Sequence, residues 1–261
     1  MSVTKQDIAW DDKSVRASRL GVVEEHALEA DISRLVELAE VGRNDAALDM
    51  VTGLGHVARA LAIEARQVDA FDPDEEILRG AMKLTERAGI KNINFFVGSP
   101  LSLPCEEKAY DIVTARMALR HLADGSGLLK EAHRFINSDG RLILADALAP
   151  PHAELVSFLE NMLALYDQSH LKAYTLAELE TILEKAGFYI DNIEIYPKEH
   201  VFDSWSKQLG ADEESIRMLA SLLHSAGTRA KRHFRIIEDD QKVVSFVTWM
   251  ILIRARPDEL A

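Results

Sequence analysis

The sequence predicts a doubly wound α/β fold, and three observations predict it. Short apolar runs rich in β-branched and aromatic residues alternate with helical patterns through the first 150 residues. Two late apolar runs are joined by a long helical excursion, which reads as a hairpin finishing the sheet. With 261 residues, 48% of them hydrophobic, and no Pro-, Gly- or Ser-rich divider, the chain reads as one folding unit over 1–261 with a single large core.

The elements follow in order. The run "AALDMV" (46–51) is a strand, and the "HVARALAIEA" after it is helical; "QVDAFD" (67–72) is the second strand, and "DEEILRGAMKLTERAG" (74–89) the helix that returns from it. Next come strands "INFFVG" (93–98) and "YDIVTA" (110–115), a helix near 124–136, and strand "GRLILADAL" (140–148). Such runs separated by helices indicate parallel strands wound through right-handed crossovers. The last third changes character. "PHAELVSFLENMLALYDQ" puts Leu155, Phe158, Leu159, Met162, Leu163 and Tyr166 at helical spacing, and "TLAELETILEKAGF" repeats the pattern before strand "YIDNIEIY". Residues 203–233 read as a helical insertion ahead of the final strand "VVSFVTWMILIRA" (243–255).

Composition excludes several functions. A formal charge of −13 opposes binding to nucleic acid or an anionic membrane, because a phosphate backbone attracts concentrated Lys and Arg. No apolar stretch is long enough to span a bilayer, and the start "MSVTKQDIAWDD" lacks a cationic segment followed by an apolar run, so a soluble, cytoplasmic protein is expected. Cys105 is the only cysteine, which excludes an internal disulfide and a cysteine cluster for zinc. The nine histidines are scattered without the close pairing of metal ligands on a helix, so no metal is expected.

The segment "LDMVTGLGHVA" (48–58) leaves the first strand and opens a helix, offering backbone N–H groups and the positive helix end to a ligand. Gly53, Gly55 and Ala58 fit G-x-G-x-x-G/A, and Asp72 ends the second strand, where an acid can hold both ribose hydroxyls. Asp72 also fits an ordinary helix cap before "PDEEIL". Alone, the loop suits NAD as well as any adenosine ligand.

The order of "AGIKNINFFVGS", "LSLP", "YDIVTARMALRHL" and "GRLILAD" resembles the motifs of class I S-adenosylmethionine-dependent methyltransferases, closest to the branch that includes the ubiquinone and menaquinone C-methyltransferases. The resemblance extends to the tail elements "YTLAELETILEKAGF", "FDSWSKQLG" and "SFVTWMILIRARP". It implies a seven-stranded Rossmann-like sheet with its last strand antiparallel and with helical lid insertions: 1–43 as N-terminal helical lid, 44–150 as cofactor-binding half, 151–261 as substrate-side helices and C-terminal strands. It further implies S-adenosylmethionine as cofactor. Asp49 and the Gly53–Gly55 loop would support its methionine part, Asp72 with Pro73 its ribose, Gly98 and Ser99 its adenine, and Ala115 and Arg116 would border the transferable methyl. Asp111 is expected to have a structural role at the start of its strand.

The chain departs from the family at three places. The family's D-x-G-x-G-x-G has Val51 at its first glycine, where a β-branched residue does not easily take φ > 0 and its methyls would fill space left for the ligand. The acid that follows the third strand in the family is Ser99 here, and "EEHALEAD" (24–31) carries Leu28 and Glu29 where relatives have a small pair. All three are expected to weaken cofactor affinity.

Methyl transfer is an in-line displacement that needs alignment more than acid or base catalysis. For an oxygen or nitrogen acceptor a base helps, and His121, or His170 with Tyr174 one helical turn on, are the candidates; a satisfied structural histidine is the plain alternative. The apolar faces of 155–166 and 203–224 would roof a small hydrophobic substrate, and core packing explains them equally. Three functions stay open at this point: a small-molecule methyltransferase, a methyltransferase-fold protein with lost or altered cofactor use serving as a binding or partner subunit, and a nicotinamide dehydrogenase, which the lack of a second nucleotide half opposes; a homodimer or a partner subunit is the assembly expected.

Overall fold

The computed structural model describes residues 25–103, 105–122, 124–167, 169–208 and 212–258, without the side chains of 25–29 and 208. Five strands come first: β1 (Ala46–Met50), β2 (Gln67–Asp72), β3 (Ile93–Val97), β4 (Tyr110–Arg116) and β5 (Ile136–Ala147). Then follow β6 (Phe188–Val201), the short β7 (Ile237–Asp239) and β8 (Lys242–Pro257). They form one sheet in the order β3-β2-β1-β4-β5-β8-β6, with β7 beside β8. The first five strands pair in parallel, and β8 runs antiparallel to both of its neighbours β5 and β6. The expected seven-stranded sheet with an antiparallel last strand is present, and β7 is an eighth, three-residue addition.

Helices cover both faces. On one side α1 (Glu25–Ala39) and α2 (His56–Leu61) bury Leu35, Val57 and Leu61 against Ala47, Ile112 and Ile143 of the sheet. Helix α3 (Glu75–Arg87) returns the chain from β2 to β3 and starts at Asp74, whose carboxylate accepts from the Glu76 and Ile77 N–H groups. On the opposite side α4 (Ser126–Phe135) and α6 (Leu176–Lys185) bury Leu128, Phe135, Leu179 and Leu183 against Leu142, Leu144 and Ile253. Thr175 and Glu178 form a reciprocal capping box at the start of α6. The remaining helices, α5 (Ala153–Ala164), α7 (Phe202–Gln208), α8 (Glu213–His224) and α9 (Thr228–His233), build a separate core with Phe234 and Phe246.

Several expectations are corrected. The helix after β1 stops at Leu61 because the Asn92 side chain takes the carbonyls of Ala62 and Ala65, which would otherwise carry the helix onward. Strand β5 begins at Ile136, well before the expected residue 140, pairing Ile136 with Tyr110 ahead of a register shift. The stretch 203–233 is three helices. The apolar faces of 155–166 and 203–224 do not present a roof: Leu155, Leu159, Met162 and Leu163 pack with Leu219 and Leu223 in that separate core. Of the proposed lid 1–43, residues 1–24 lie outside the described residues, and α1 is a sheet-face helix rather than a flap, since Leu35 is fully buried. The Leu28 and Glu29 side chains lie outside the described residues.

Candidate functional site

The carboxyl ends of β1, β2, β4 and β5 line up, and three of those strands end in or beside a buried acid: Asp49, Asp72 and Asp146. The loop from β1 to α2 passes over them. Three of its five residues are left-handed, Val51 at φ 58°, Gly53 at φ 57° and Gly55 at φ 74°. Val51 therefore takes the conformation that its β-branched side chain disfavours, and its methyls are buried in the core cluster containing Leu103, Ala115 and Leu119. Gly55 lies too close to Ala81, Arg59 and Phe95 for a side chain to fit comfortably, whereas the space beside Gly53 is open. The loop is braced by Arg59, whose guanidinium donates to the Leu54 carbonyl at 2.7 Å. Helix α2 has only six residues, so its dipole adds little; oriented loop amides are the available donors.

Asp72 ties the loop to the second strand. One carboxylate oxygen accepts from the Gly53 N–H at 2.9 Å, the other from the Asp74 N–H at 3.0 Å. It does not cap α3; Asp74 does. Pro73 is half-buried beside it. Asp49 is held from two sides, accepting from the Thr52 hydroxyl at 2.5 Å and the Thr114 hydroxyl at 2.7 Å. Burial pushes its carboxyl up to about 6, against the lowering effect of those hydrogen bonds. Gly98 follows β3 with its N–H on the Asp72 carbonyl, and the Ser99 hydroxyl accepts from the Leu101 N–H at 3.3 Å, closing its own turn. Ala115 is buried at the end of β4. Arg116 faces α1, 3.9 Å from Asp31, which also takes Lys198 at 2.9 Å; burial lowers the pKa of both cations. Asp111 has the structural role expected of it, accepting from the Ala46 N–H and the Asn137 amide and so joining β1, β4 and β5.

The histidine candidates divide. His121 lies in a 3-10 turn and is buried, with Nδ1 2.9 Å from the Ser169 hydroxyl, which donates in turn to Asp167. His170 and Tyr174 are not a helical turn apart, because 170–174 is not helical and is held to the 3-10 turn by Leu171 N–H donating to the Arg120 carbonyl. Tyr174 is committed to the Gly125 N–H through its hydroxyl oxygen. The ring nitrogens of His170 are shielded from solvent, with no hydrogen-bond partner among the described residues, and burial with the nearby Arg120 charge lowers its pKa to about 4.

Sequence reasoning missed the Arg120–Asp146 pair, buried and 3.0 Å apart, with the second Asp146 oxygen unpartnered among the described residues. The signal was an acid ending the apolar run "LILAD", as acids do in the first two strands. Among the described residues no group of three or more His, Cys, Asp or Glu could hold a metal, and no helix is long and apolar enough to cross a membrane.

A parallel sheet with an antiparallel strand inserted between its last two members, and a left-handed loop tied down by the acid of the second strand, define a class I methyltransferase architecture. The chain belongs to the methyltransferase-domain family, whose model matches residues 24–193. It is similar to the uncharacterized methyltransferase YcgJ of Bacillus subtilis, at 27% identity over 225 residues, covering 86% of this chain and 89% of that protein. The crystal structure of YcgJ aligns with a TM-score of 0.85 at 26% identity over 88% of this chain and 99% of that one. A crystal structure from Bacillus halodurans aligns with a TM-score of 0.83 at 30% identity and the same coverage. The ubiquinone/menaquinone biosynthesis C-methyltransferase UbiE of Rickettsia felis is 26% identical over 200 residues, 70% of this chain and 76% of that protein.

Proposed function

We propose that the protein transfers a methyl group from S-adenosylmethionine to a small, apolar molecule bearing one polar group, with the donor held along the loop 51–55 and at Asp72. The observation that carries this reading is the loop itself: three of its five residues are left-handed, Val51 among them, and Asp72 ties Gly53 to the second strand. The residues fit the cofactor at two points. The open space beside Gly53 leaves a ligand room to approach the backbone, and Asp72, which accepts from the Gly53 and Asp74 N–H groups, stands at the end of β2 under that loop, where an acid can hold ribose hydroxyls. Once bound, the cofactor supplies an electrophilic methyl on a sulfonium.

What remains for the chain is alignment and polarity. Asp49 orients the loop through Thr52 and β4 through Thr114, setting the spacing between the donor site and the strand that ends at Arg116. At the end of β5, the Asp146 oxygen that is unpartnered among the described residues and the unprotonated ring nitrogen of neutral His170 offer acceptors for a hydroxyl of the methyl acceptor. His170 is neutral at pH 7, so it serves as a hydrogen-bond acceptor first and is only a weak base. The apolar character of the acceptor is supported by relatives named for ubiquinone and menaquinone biosynthesis.

The second reading, a partner subunit without cofactor turnover, is favoured by Val51, whose methyls are packed into the core under the loop. Titration calorimetry separates the two. Binding of S-adenosylhomocysteine without binding of NAD is expected; a cooperatively folded protein that gives no heat with S-adenosylhomocysteine would favour the partner subunit, and tight NAD binding would overturn the choice of donor.

A further inference from the structure

A chain with 43 acidic and 30 basic residues concentrates "RAKRHFR" in residues 229–235. Helix α9 projects Arg229 and Arg232 from neighbouring turns of one face, and the residues after it bring Arg235 to the same place. All three line a pocket of about 400 Å³ whose floor is Leu155 of α5 and Trp249 of β8. None of its lining belongs to the loop 51–55, Asp72, Gly98 or Ser99, so it is separate from the donor groove.

The charges in this pocket are under-compensated. Lys231, outside the pocket lining, is paired with Glu238 at 2.8 Å in a half-buried contact, and Arg229 reaches Glu154 only at 3.6 Å in an exposed one. Among the described residues, Arg232 and Arg235 have no carboxylate within ion-pair distance, and the Arg235 guanidinium sits over the Trp249 ring, 5.1 Å from its centroid. His233 adds a shielded Nε2 with no hydrogen-bond partner among the described residues. Guanidinium groups present planar forks matched to phosphate oxygens, and an aromatic floor accepts an apolar body. The "EDD" run at 238–240, two residues beyond the basic cluster, opposes an extended polyanion and favours a small ligand.

We propose that this pocket binds a small organic phosphate, the phosphoryl group held by Arg232 and Arg235 and the apolar part resting on Leu155 and Trp249. The test uses the full-length protein and phenyl phosphate, with inorganic phosphate and benzoate as comparison probes, followed by calorimetry and by tryptophan fluorescence. Phenyl phosphate should bind more tightly than either, and its binding should be unaffected by saturating S-adenosylhomocysteine. Arg232→Gln and Arg235→Gln should each weaken it on the order of tenfold, because each removes a charge-assisted contact. Arg217→Gln, an exposed change of equal charge on α8, should leave it unchanged. Both pocket arginines are exposed, so the urea midpoints of these variants should match the wild type. Equal affinity for benzoate, equal weakening by Arg217→Gln, or preferential retention of an oligonucleotide or of phosphatidylserine vesicles would overturn the proposal.

Discussion

At Val51 two opposing local energies meet. The left-handed backbone at φ 58° costs a β-branched residue roughly 1–2 kcal/mol, while burial of its methyls recovers a similar amount at about 0.8 kcal/mol per carbon. Val51→Gly removes both, and its stability in urea is expected within about 1 kcal/mol of wild type. Val51→Ala keeps a Cβ in the left-handed region but loses two methyls, so it should be the less stable variant by about 1–2 kcal/mol. If alanine proves as stable as glycine, the loop is not left-handed at residue 51. Ser99 offers a complementary change: its turn-closing bond to the Leu101 N–H is one that Asp also makes, so Ser99→Asp should fold normally. Combined with Val51→Gly it should tighten S-adenosylhomocysteine by roughly 1 kcal/mol per change, nearly additively. No gain in calorimetry would mean that other groups close the groove.

Elements explain why neighbouring acids do different work. Asp74 caps α3 with bonds to two amides, whereas Asp72 spans from β2 to Gly53 of the loop. Asp74→Ala should cost about 1 kcal/mol in urea unfolding and leave S-adenosylhomocysteine affinity unchanged. Asp72→Ala should cost about 2 kcal/mol or more of ligand affinity, with Glu75→Ala on the exposed start of α3 as control. An Asp72→Ala protein that melts early yet keeps full affinity would withdraw Asp72 from the donor site. The sequence made the strand ends legible because an acid closing an apolar run is a local pattern, but it could not assign the cap. Asp72 and Asp74 both precede the same helix, and only the β-region backbone of Asp74 aims its carboxylate at the helix amides. The helical pairing of His170 with Tyr174 failed for a related reason. Spacing alone does not reveal that the Arg120 carbonyl takes the Leu171 N–H, a contact outside any helix of that segment.

At the scale of the whole molecule two histidines remote in sequence, His170 and His200, lie in buried environments that keep them neutral at pH 7. His170 lies by the Arg120–Asp146 pair at the end of the parallel strands, and His200 is buried where β6 and β8 meet α7. There His200 bonds the Thr248 hydroxyl at 2.8 Å and stacks on Phe246, and burial, with a smaller contribution from Lys198, lowers its pKa to about 3. The unfolded chain protonates both histidines near pH 6.5 while the native protein does not, so it binds fewer protons than the unfolded state below that pH. Their contribution to stability is complete above about pH 6.5 and is lost as pH falls toward the folded values of about 4 and 3. Asp49 works in the opposite sense: its raised carboxyl favours the native state below its unfolded value and loses that advantage as pH rises through about 6. Between pH 7 and 5 the two histidines should dominate, costing together about 3 kcal/mol once the partial exposure of His170 is discounted. Urea unfolding of the wild type and of His170→Gln/His200→Gln at pH 7 and pH 5 isolates the effect, because the absolute stability of the double variant cancels from the difference between the two pH values. The wild type should lose about 3 kcal/mol more than the variant on acidification. An equal loss in both proteins would show that these rings are protonated in the native state, and His170 would then have to be reassigned from a neutral acceptor at the end of β5 to a cation there.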